Sequence, residues 1–526
     1  MSDEAKKLFH NRLDIHDRKQ FELKLEYQPS GRDPRSEYRV EMFLFLPSSL
    51  NIDAENYPRQ QFYSDIHNYV RLKTPVLEVD DILCAEGSPL VRLERLVERG
   101  PAAVAASQSD LVYQAKLLSC EFRGALRRFA SGVDARCDEL SPDPSAGARA
   151  LEQRTRKMRD GTRRILERLR AFNEMITTMP GIEERTRASL RLVDEYMSLT
   201  VEQFFRKAVT DMDALPRTGL WVDLRKELMG EVIREESYRR ARQLPSVLST
   251  TGDNEEYMHR VGFLKKFCMN ILFLRVRRDQ SRQGFEEVLF ALAAGIAMAF
   301  ATAIAFWAQM RFAQVSLNFF LILVVGYMMK DRIKEGMRRI FSRVLSRYLF
   351  DRSTRITDPV TGERIGVCKE KVDYIRPDAV PPEIQALRQA DDFVTVSQGE
   401  LSEVLIRYQK EIVLDAGALP KMSSGSEGVT DIIRLNVQRF LRDMDEPEYA
   451  LEYVDLEEFT IGRIRGAKSY QVDLACRFTF DDADDKGKQV ELVRLVLDRN
   501  GIKRMIRFDR PTDASEPPPV PARSVA

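Results

Sequence analysis

The residues of this chain that could do chemistry are few and scattered. There are four histidines and six cysteines in 526 residues. His10 and His16, with Asp14 and Asp17, come nearest to a metal-ligand grouping. A metal site needs fixed geometry, and this stretch is a charged terminus, so no metal is expected there. His67 and His259 stand far apart. Cys84, Cys120, Cys137, Cys268, Cys368 and Cys476 form no CxxC pair and read as reduced cytoplasmic thiols, not as a disulfide framework or a zinc site. The adjacent carboxylates Glu183–Glu184, Glu235–Glu236 and Glu457–Glu458 suit solvated helix faces and turns. A hydrolase built on two distant carboxylates would leave no local signature. Phosphate-binding, dinucleotide, zincin, nucleophile-elbow and EF-hand motifs are missing. Asp358–Gly366, DPVTGERIG, has glycines and an Asp-Pro that make a hairpin turn. No catalytic residue and no cofactor follows from these residues.

The elements that would position any such chemistry are organised around one gap in the charge pattern. Residues 288–329 carry a single charge, Arg311, in a chain that is 31% charged. Forty-two helical residues would reach roughly 63 Å, about twice a hydrocarbon core. Splitting at Arg311 gives two expected membrane spans, Val288–Met310 and Phe312–Met329, joined by almost no loop. Gln309, Arg311, Gln314, Ser316 and Asn318 mark the outer end of this hairpin. Trp307 suits that interface and Tyr327 the opposite one.

The flanks set the expected orientation. Lys265, Lys266, Arg275, Arg277, Arg278 and Arg282 precede the first span. Lys330, Arg332, Lys334, Arg338, Arg339 and Arg343 follow the second. The positive-inside rule then places both termini in the cytoplasm, and the arginine- and alanine-rich composition suggests a bacterial inner membrane. Ala293, Ala297, Ala301 and Ala305 line one face of the first span, and Gly295, Ala299 and Ala303 the next. Such faces allow close helix packing in lipid, against the second span or another copy of the chain. No Asp, Glu, Lys or His falls within either span, which argues against a proton relay or an ion-coupled transporter.

Before the hairpin, Phe21–Tyr27 and Tyr38–Leu46 alternate as strands and are expected to pair as a β-hairpin. A short helix is expected over Arg59–Leu72. Helices follow over Ser88–Glu98, Ala103–Leu140, Ala148–Ile176, Ile182–Ala214 and Leu220–Leu244, which suggests an antiparallel bundle. Leu190, Val193, Met197, Val201, Phe204 and Ala208 form one buried stripe. The third of these helices is basic, from Arg154 to Arg170. Its charge either meets anionic lipid or is balanced by acidic neighbours. The apolar run 257–278 is expected at the membrane surface or against the bundle. Asp253 and Glu256 resemble a capping box before it.

After the hairpin, Lys330–Phe350 is a basic amphipathic helix, either a stalk continuing the second span or a surface helix. Strands are expected over Arg364–Ile375, Leu405–Leu414, Ala450–Val454, Ser469–Phe480, Val490–Leu497 and Ile502–Phe508, with a DRNG turn joining the last two. One helix is expected over Asp431–Met444. The 416–428 stretch reads as a flexible loop, and PPVPAR in the tail fits a polyproline pattern within a segment disordered by composition.

The expected organisation is a small α/β unit with a β-hairpin (1–85), a helical bundle (86–284), a two-span hairpin (285–330), a juxtamembrane helix (331–352), an α+β domain (353–510) and a Pro-rich tail (511–526). The fold class is a membrane protein, mixed α and α+β, whose transmembrane hairpin separates an N-terminal, mostly helical cytoplasmic region from a C-terminal α+β cytoplasmic domain. The near-neutral charge of +1 implies no nucleic-acid partner. The expected partners are the bilayer, a homo-oligomer through the first span, and a cytoplasmic protein. The expected function is a non-enzymatic scaffold or signalling protein at the inner membrane. An unrecognised membrane enzyme and an oligomeric two-span channel are the alternatives.

Overall fold

A computed structural model describes residues 9–27, 35–74, 77–139, 144–214, 219–278, 281–311, 316–348, 350–359, 362–389, 403–415, 417, 428–455, 459–482 and 485–508. The tail and nearly all of the 416–428 stretch lie outside them. The described chain mixes helix and sheet. Its first part runs β1 (Phe9–Asp17), β2 (Gln20–Tyr27), β3 (Arg35–Pro47), α1 (Arg59–Asp65) and β4 (Ile66–Leu72). Helices follow: α2 (Val79–Cys84), α3 (Pro89–Glu98), α4 (Pro101–Ala106), α5 (Gln108–Glu139), α6 (Pro144–Thr178), α7 (Glu184–Asp211), α8 (Leu220–Ala241) and α9 (Glu255–Met269). Then come β5 (Arg275–Arg278), α10 (Ser281–Arg311), α11 (Leu317–Tyr348), β6 (Arg352–Thr357), β7 (Arg364–Ile375), α12 (Pro382–Gln389) and β8 (Glu403–Asp415). The last strands are β9 (Val429–Asn436), β10 (Glu448–Asp455), β11 (Thr460–Ala467), β12 (Tyr470–Asp482), β13 (Asp485–Asp498) and β14 (Gly501–Phe508).

Strand pairing overturns the expected N-terminal unit. β2 and β3 do not pair with each other. β2 lies in a four-stranded sheet of order β1-β2-β9-β4, and β3 lies in an eight-stranded sheet of order β14-β13-β12-β3-β8-β7-β6-β5. The turn-rich link between them carries the chain from one sheet to the other. Each sheet therefore combines strands from before and after the helices, and residues 9–72 do not close a core alone. The two sheets share one core, where Phe21, Leu23 and Leu25 meet Tyr38, Val40, Met42, Tyr408, Ile412 and Leu474. α12 covers part of the other face of the large sheet, with Ile384 packed among Phe43, Phe45, Leu405 and Leu492.

Two expected helices are wholly or partly strand. Arg59–Leu72 splits after Asp65, because Ile66, Val70 and Leu72 alternate inward and pair with β9. Asp431–Met444 begins as β9, whose Val429, Asp431, Ile433 and Leu435 share the buried face, and continues in tight turns. Helical spacing and strand alternation are hard to separate in so short an apolar run. The expected Ala103–Leu140 helix breaks at Ser107 into α4 and α5. The expected strands from Arg364 onward are present, and β13 turns into β14 through Arg499 and Asn500. Gly501 has φ +140°, and a side chain there would collide with the Arg18 carbonyl.

The bundle forms a second core, including the six stripe residues of α7 and Trp221, Leu224, Leu228 and Val232 of α8. The basic helix α6 is matched by acidic neighbours. Arg156 and Arg159 reach Glu227, Arg163 reaches Glu231, and Arg170 bridges Glu235 at 2.6 Å and Asp194 at 3.1 Å. Arg168 donates to Glu94 at 2.7 Å on the opposite flank. α9 packs on the bundle through Leu264 and Cys268. Its N-cap is Asn254, and Asp253 instead accepts from the Glu255 amide at 3.2 Å.

Candidate functional site: an apolar helix pair and a basic cavity

α10 and α11 form the first candidate region. Its root is the edge of the large sheet, where β5 and β6 pair antiparallel, Arg275 opposite Thr357 and Arg277 opposite Arg355. The helix pair is thus a long insertion between two hydrogen-bonded neighbours, and its ends return to one place. Asp351 fixes the returning end, accepting from Arg59 at 3.3 Å, Tyr63 at 3.1 Å and the Val372 amide at 2.9 Å.

The small-residue faces of α10 separate. Ala293, Ala297 and Ala308 are buried, while Ala301 and Ala305 are half-buried on the same side. Ile304 faces Gly326 of α11, where a Cβ would lie 3.0 Å from the isoleucine methyl. Gly295, Ala299 and Ala303 are exposed. Trp307, Arg311, Asn318 and Tyr327 are also exposed, Arg311 and Asn318 at the tip. Residues 312–315 of the expected turn and second span lie outside the described residues.

The two helices are unequal. α10 carries the 25-residue apolar segment Glu287–Arg311, within which an 18-residue window reaches a mean hydropathy of 2.3, and is the one described helix long and apolar enough to cross a membrane. α11 runs without a break into its basic half, so the expected juxtamembrane helix is its continuation. Its apolar stretch, Leu317–Met329, reaches only about 20 Å at 1.5 Å per residue. Lys330 then stacks over the Tyr327 ring at 3.6 Å, beside Asp331 at 3.8 Å. Arg338 lies 4.5 Å from the Phe290 ring. The register places Lys330, Asp331, Arg332, Lys334 and Glu335 beside the apolar first half of α10. Arg332, Lys334, Arg338 and Arg339 point outward, as do Arg275 and Arg277 on β5. Arg278 ends β5, and Arg282 lies in the first turn of α10.

The second region is a cavity of about 550 Å³ between the small sheet and the bundle. The small sheet contributes Glu22 and Lys24 from β2, Arg71 from β4, and Ile432 and Arg434 from β9. α5 contributes Cys120, Arg123 and Arg127, and α9 contributes Lys265 and Lys266. Seven cations thus face one carboxylate. That carboxylate is engaged, since Arg434 donates to Glu22 at 2.6 Å. Lys24 lies 3.5 Å from Glu26, outside the lining. Arg71, Arg123, Arg127, Lys265 and Lys266 form no ion pair among the described residues, and the Arg71 Nε is buried without a partner.

The electrostatics follow from that crowding. Burial, then the charge of Arg71, pulls the Lys24 ammonium below its ordinary value. Burial, then Arg123, Arg71 and Arg434, does the same to Lys265. Arg71 is lowered mainly by burial and further by Arg127. The Cys120 thiol is pushed up to about 12 by burial, so it is no thiolate nucleophile at neutral pH. Cys268 O accepts from that thiol at 3.7 Å. The cavity offers concentrated positive charge, with the one acid among its described lining residues already bound and its thiol protonated. Such an arrangement suits holding an anion more than transforming one.

No local pattern in the sequence marks this site. Lys265 and Lys266 carry the look of membrane flanks, and the other cations sit on strands and helices far apart in the chain. No group of three or more potential metal ligands occurs among the described residues. Comparison with family models, curated proteins and solved structures finds no match to this chain.

Proposed function

We propose that this chain is a non-enzymatic, membrane-anchored binding protein, held at the cytoplasmic face of a bacterial inner membrane by α10 and α11. Its body holds a multiply charged anion of the phosphate class in the basic cavity. The observation that carries this reading is the seven-to-one excess of cations over carboxylates in one lined cavity. Clustered like charges raise the energy of the empty protein and are relieved by an anion. The anchor rests on the exposed apolar surface of the helix pair and its basic root. The β5–β6 pairing supports one orientation for both ends, since paired strands cannot sit on opposite sides of a bilayer. Lys330 would lie about 20 Å from the tip, where its stem lets the ammonium reach toward the cytoplasmic interface.

Full-length protein in detergent, titrated calorimetrically with inorganic pyrophosphate, tests the cavity. Binding should weaken steeply with salt and at high pH, because Lys24 and Lys265 lose charge as pH rises. Vesicles with and without phosphatidylglycerol, compared with the soluble probe, distinguish a lipid headgroup from a free phosphate. If an Arg71→Gln, Lys265→Gln variant binds every probe as the parent does, the cavity reading fails. Resistance to carbonate extraction tests the anchor separately.

A further inference from the structure

The basic cavity has an apolar end that a bare phosphate does not account for. Beside its cations the lining includes Met269 at the end of α9, Phe273 shortly after it, and Ile432 of β9. The small sheet sets this end beside the charge. Lys24, Ile432 and Tyr69 are direct neighbours across β2, β9 and β4. Two strand spacings, about 10 Å, separate the strand of Lys24 from that of Tyr69. Arg71 follows Tyr69 by two residues on β4 and shares its face.

The chain beyond α9 returns to this edge and holds an aromatic ring there. Phe273 forms an antiparallel bridge with Arg71, and the Leu274 amide donates to the Val70 carbonyl at 3.0 Å. Partners opposite each other in such a bridge carry their side chains to one face. The Phe273 ring meets the Tyr69 ring edge-on, with centroids 6.5 Å apart and planes at 85°. Neither ring is covered: Tyr69 is 38% and Phe273 37% exposed. The opposite wall leaves space, because a Cβ at Gly262 of α9 would meet nothing within 4 Å.

We propose that the cavity takes a nucleoside di- or triphosphate, with the base against Phe273 and Ile432 and the phosphates among Lys24, Arg71, Arg123, Arg127 and Lys265. This inference rests on reading the cavity as an anion site. Charge, shape and size select the class. One phosphate group carries about two negative charges, whereas Arg71, Arg123, Arg127, Lys265 and Lys266 all line the cavity without an ion pair among the described residues. A chain of phosphates meets that number, and a single one does not. An aromatic face accepts any base, because every base has a π-face to stack. Arg71, beside the ring, offers a cation to the same base. The volume of about 550 Å³ lies within the range of small-molecule sites, and it has no room for the two acyl chains of a phospholipid.

Calorimetric titration of the full-length protein in detergent compares ADP, GDP and UDP with inorganic pyrophosphate. At least one nucleotide should bind about tenfold more tightly than pyrophosphate, from the strength of one base–aromatic stack. Phe273→Ala should remove that advantage and leave pyrophosphate binding as in the parent. Phe273→Leu keeps apolar bulk on the wall but offers no flat ring, and should lose most of the advantage too. Nucleotides that bind no tighter than pyrophosphate overturn this inference and leave the anion cavity standing. So does an equal loss of nucleotide and pyrophosphate binding in Phe273→Leu, which would make the ring part of the wall and not a base contact. Dihexanoyl phosphatidylglycerol bound more tightly than every nucleotide would assign the apolar end to acyl chains, and also overturns it. If neither pyrophosphate nor any nucleotide binds, the cavity reading itself fails and takes this inference with it.

Discussion

The two faces of the small sheet treat charge in opposite ways. On the inner face, Lys410 donates to Asp431 at 2.6 Å, and both are fully buried. Beside them Tyr408 donates to Glu370 at 2.6 Å, and Asn68 donates to Tyr408 at 2.9 Å. Each charge has a partner between the two sheets. On the outer face of the same strands, Lys24 and Arg71 join a cavity whose cations outnumber its acids. Matched buried charge ties two sheets together, whereas unmatched charge is a standing cost that a ligand can relieve. The contrast separates residues that hold the fold from residues available for binding.

The largest effect should come from breaking the inner match. Lys410→Met leaves Asp431 buried without its counter-charge and should cost about 3–5 kcal/mol. The double variant Lys410→Met, Asp431→Leu should recover most of that loss. Urea unfolding of the four members of this cycle measures it. A double variant as unstable as the single one would mean that the pair's surroundings, not its charge, set the cost.

An unmatched buried acid offers the mirror test. Glu121 of α5 is fully buried, and neither carboxylate oxygen has a hydrogen-bond partner. Burial pushes its carboxyl up to about 8. Between the ordinary carboxylate range and pH 8 the unfolded chain loses this proton while the folded chain keeps it. Stability should therefore fall as pH rises through that window and level off above it. Glu121→Gln copies the protonated form. It should match the parent near pH 4 and exceed it by a few kcal/mol near pH 9, because each tenfold change in proton affinity is worth about 1.4 kcal/mol. Thermal melts at both pH values decide this, and a gain independent of pH would show that charge is not the cause.

The cavity itself should show a smaller effect of opposite consequence for function. Arg71→Gln removes one of several crowded cations, so the empty protein should gain about 0.5–1 kcal/mol. The same change should lose most of the stabilisation conferred by pyrophosphate. Melting curves with and without pyrophosphate read both quantities. A loss of stability in the empty variant would mean that Arg71 holds structure, as Lys410 does.

This contrast is only partly legible in the chain. Stripes and alternations that repeat locally, such as Leu190 to Ala208 or Arg364 to Ile375, report their elements correctly. Pairing partners are not legible, because β3 lies between β8 and β12, more than 350 residues downstream in the register Phe43↔Arg407 and Phe43↔Ala475. Nothing in a local window encodes a contact of that range. Asp431 is hard to place for a related reason: its partner Lys410 lies on another strand, 21 residues away. The cavity is invisible because the elements that wall it, β2, β4, α5, α9 and β9, are separated along the chain by stretches that line no part of it. The apolar helix pair is the most legible feature, since its signal is composition. Its inequality is not, because the register that sets Arg338 beside Phe290 is tertiary.

Matched charge at the surface completes the comparison and should matter least. On α6, Arg156 pairs with Glu152 at 2.8 Å and with Glu227 at 3.4 Å, and its guanidinium stays open to water. Water already solvates that charge, so the pair offsets little desolvation, and salt screens it. Arg159 also holds Glu227, so removing Arg156 leaves no carboxylate stranded. Arg156→Ala should therefore cost about 0.5 kcal/mol or less, and raising the salt should erase the difference. A urea-unfolding cycle of Arg156 and Glu227 at low and high salt measures the coupling. A salt-resistant coupling of the size expected for Lys410 and Asp431 would remove the distinction drawn between inner and outer charge. It would then be the number of pairs, not their burial, that ties this molecule together.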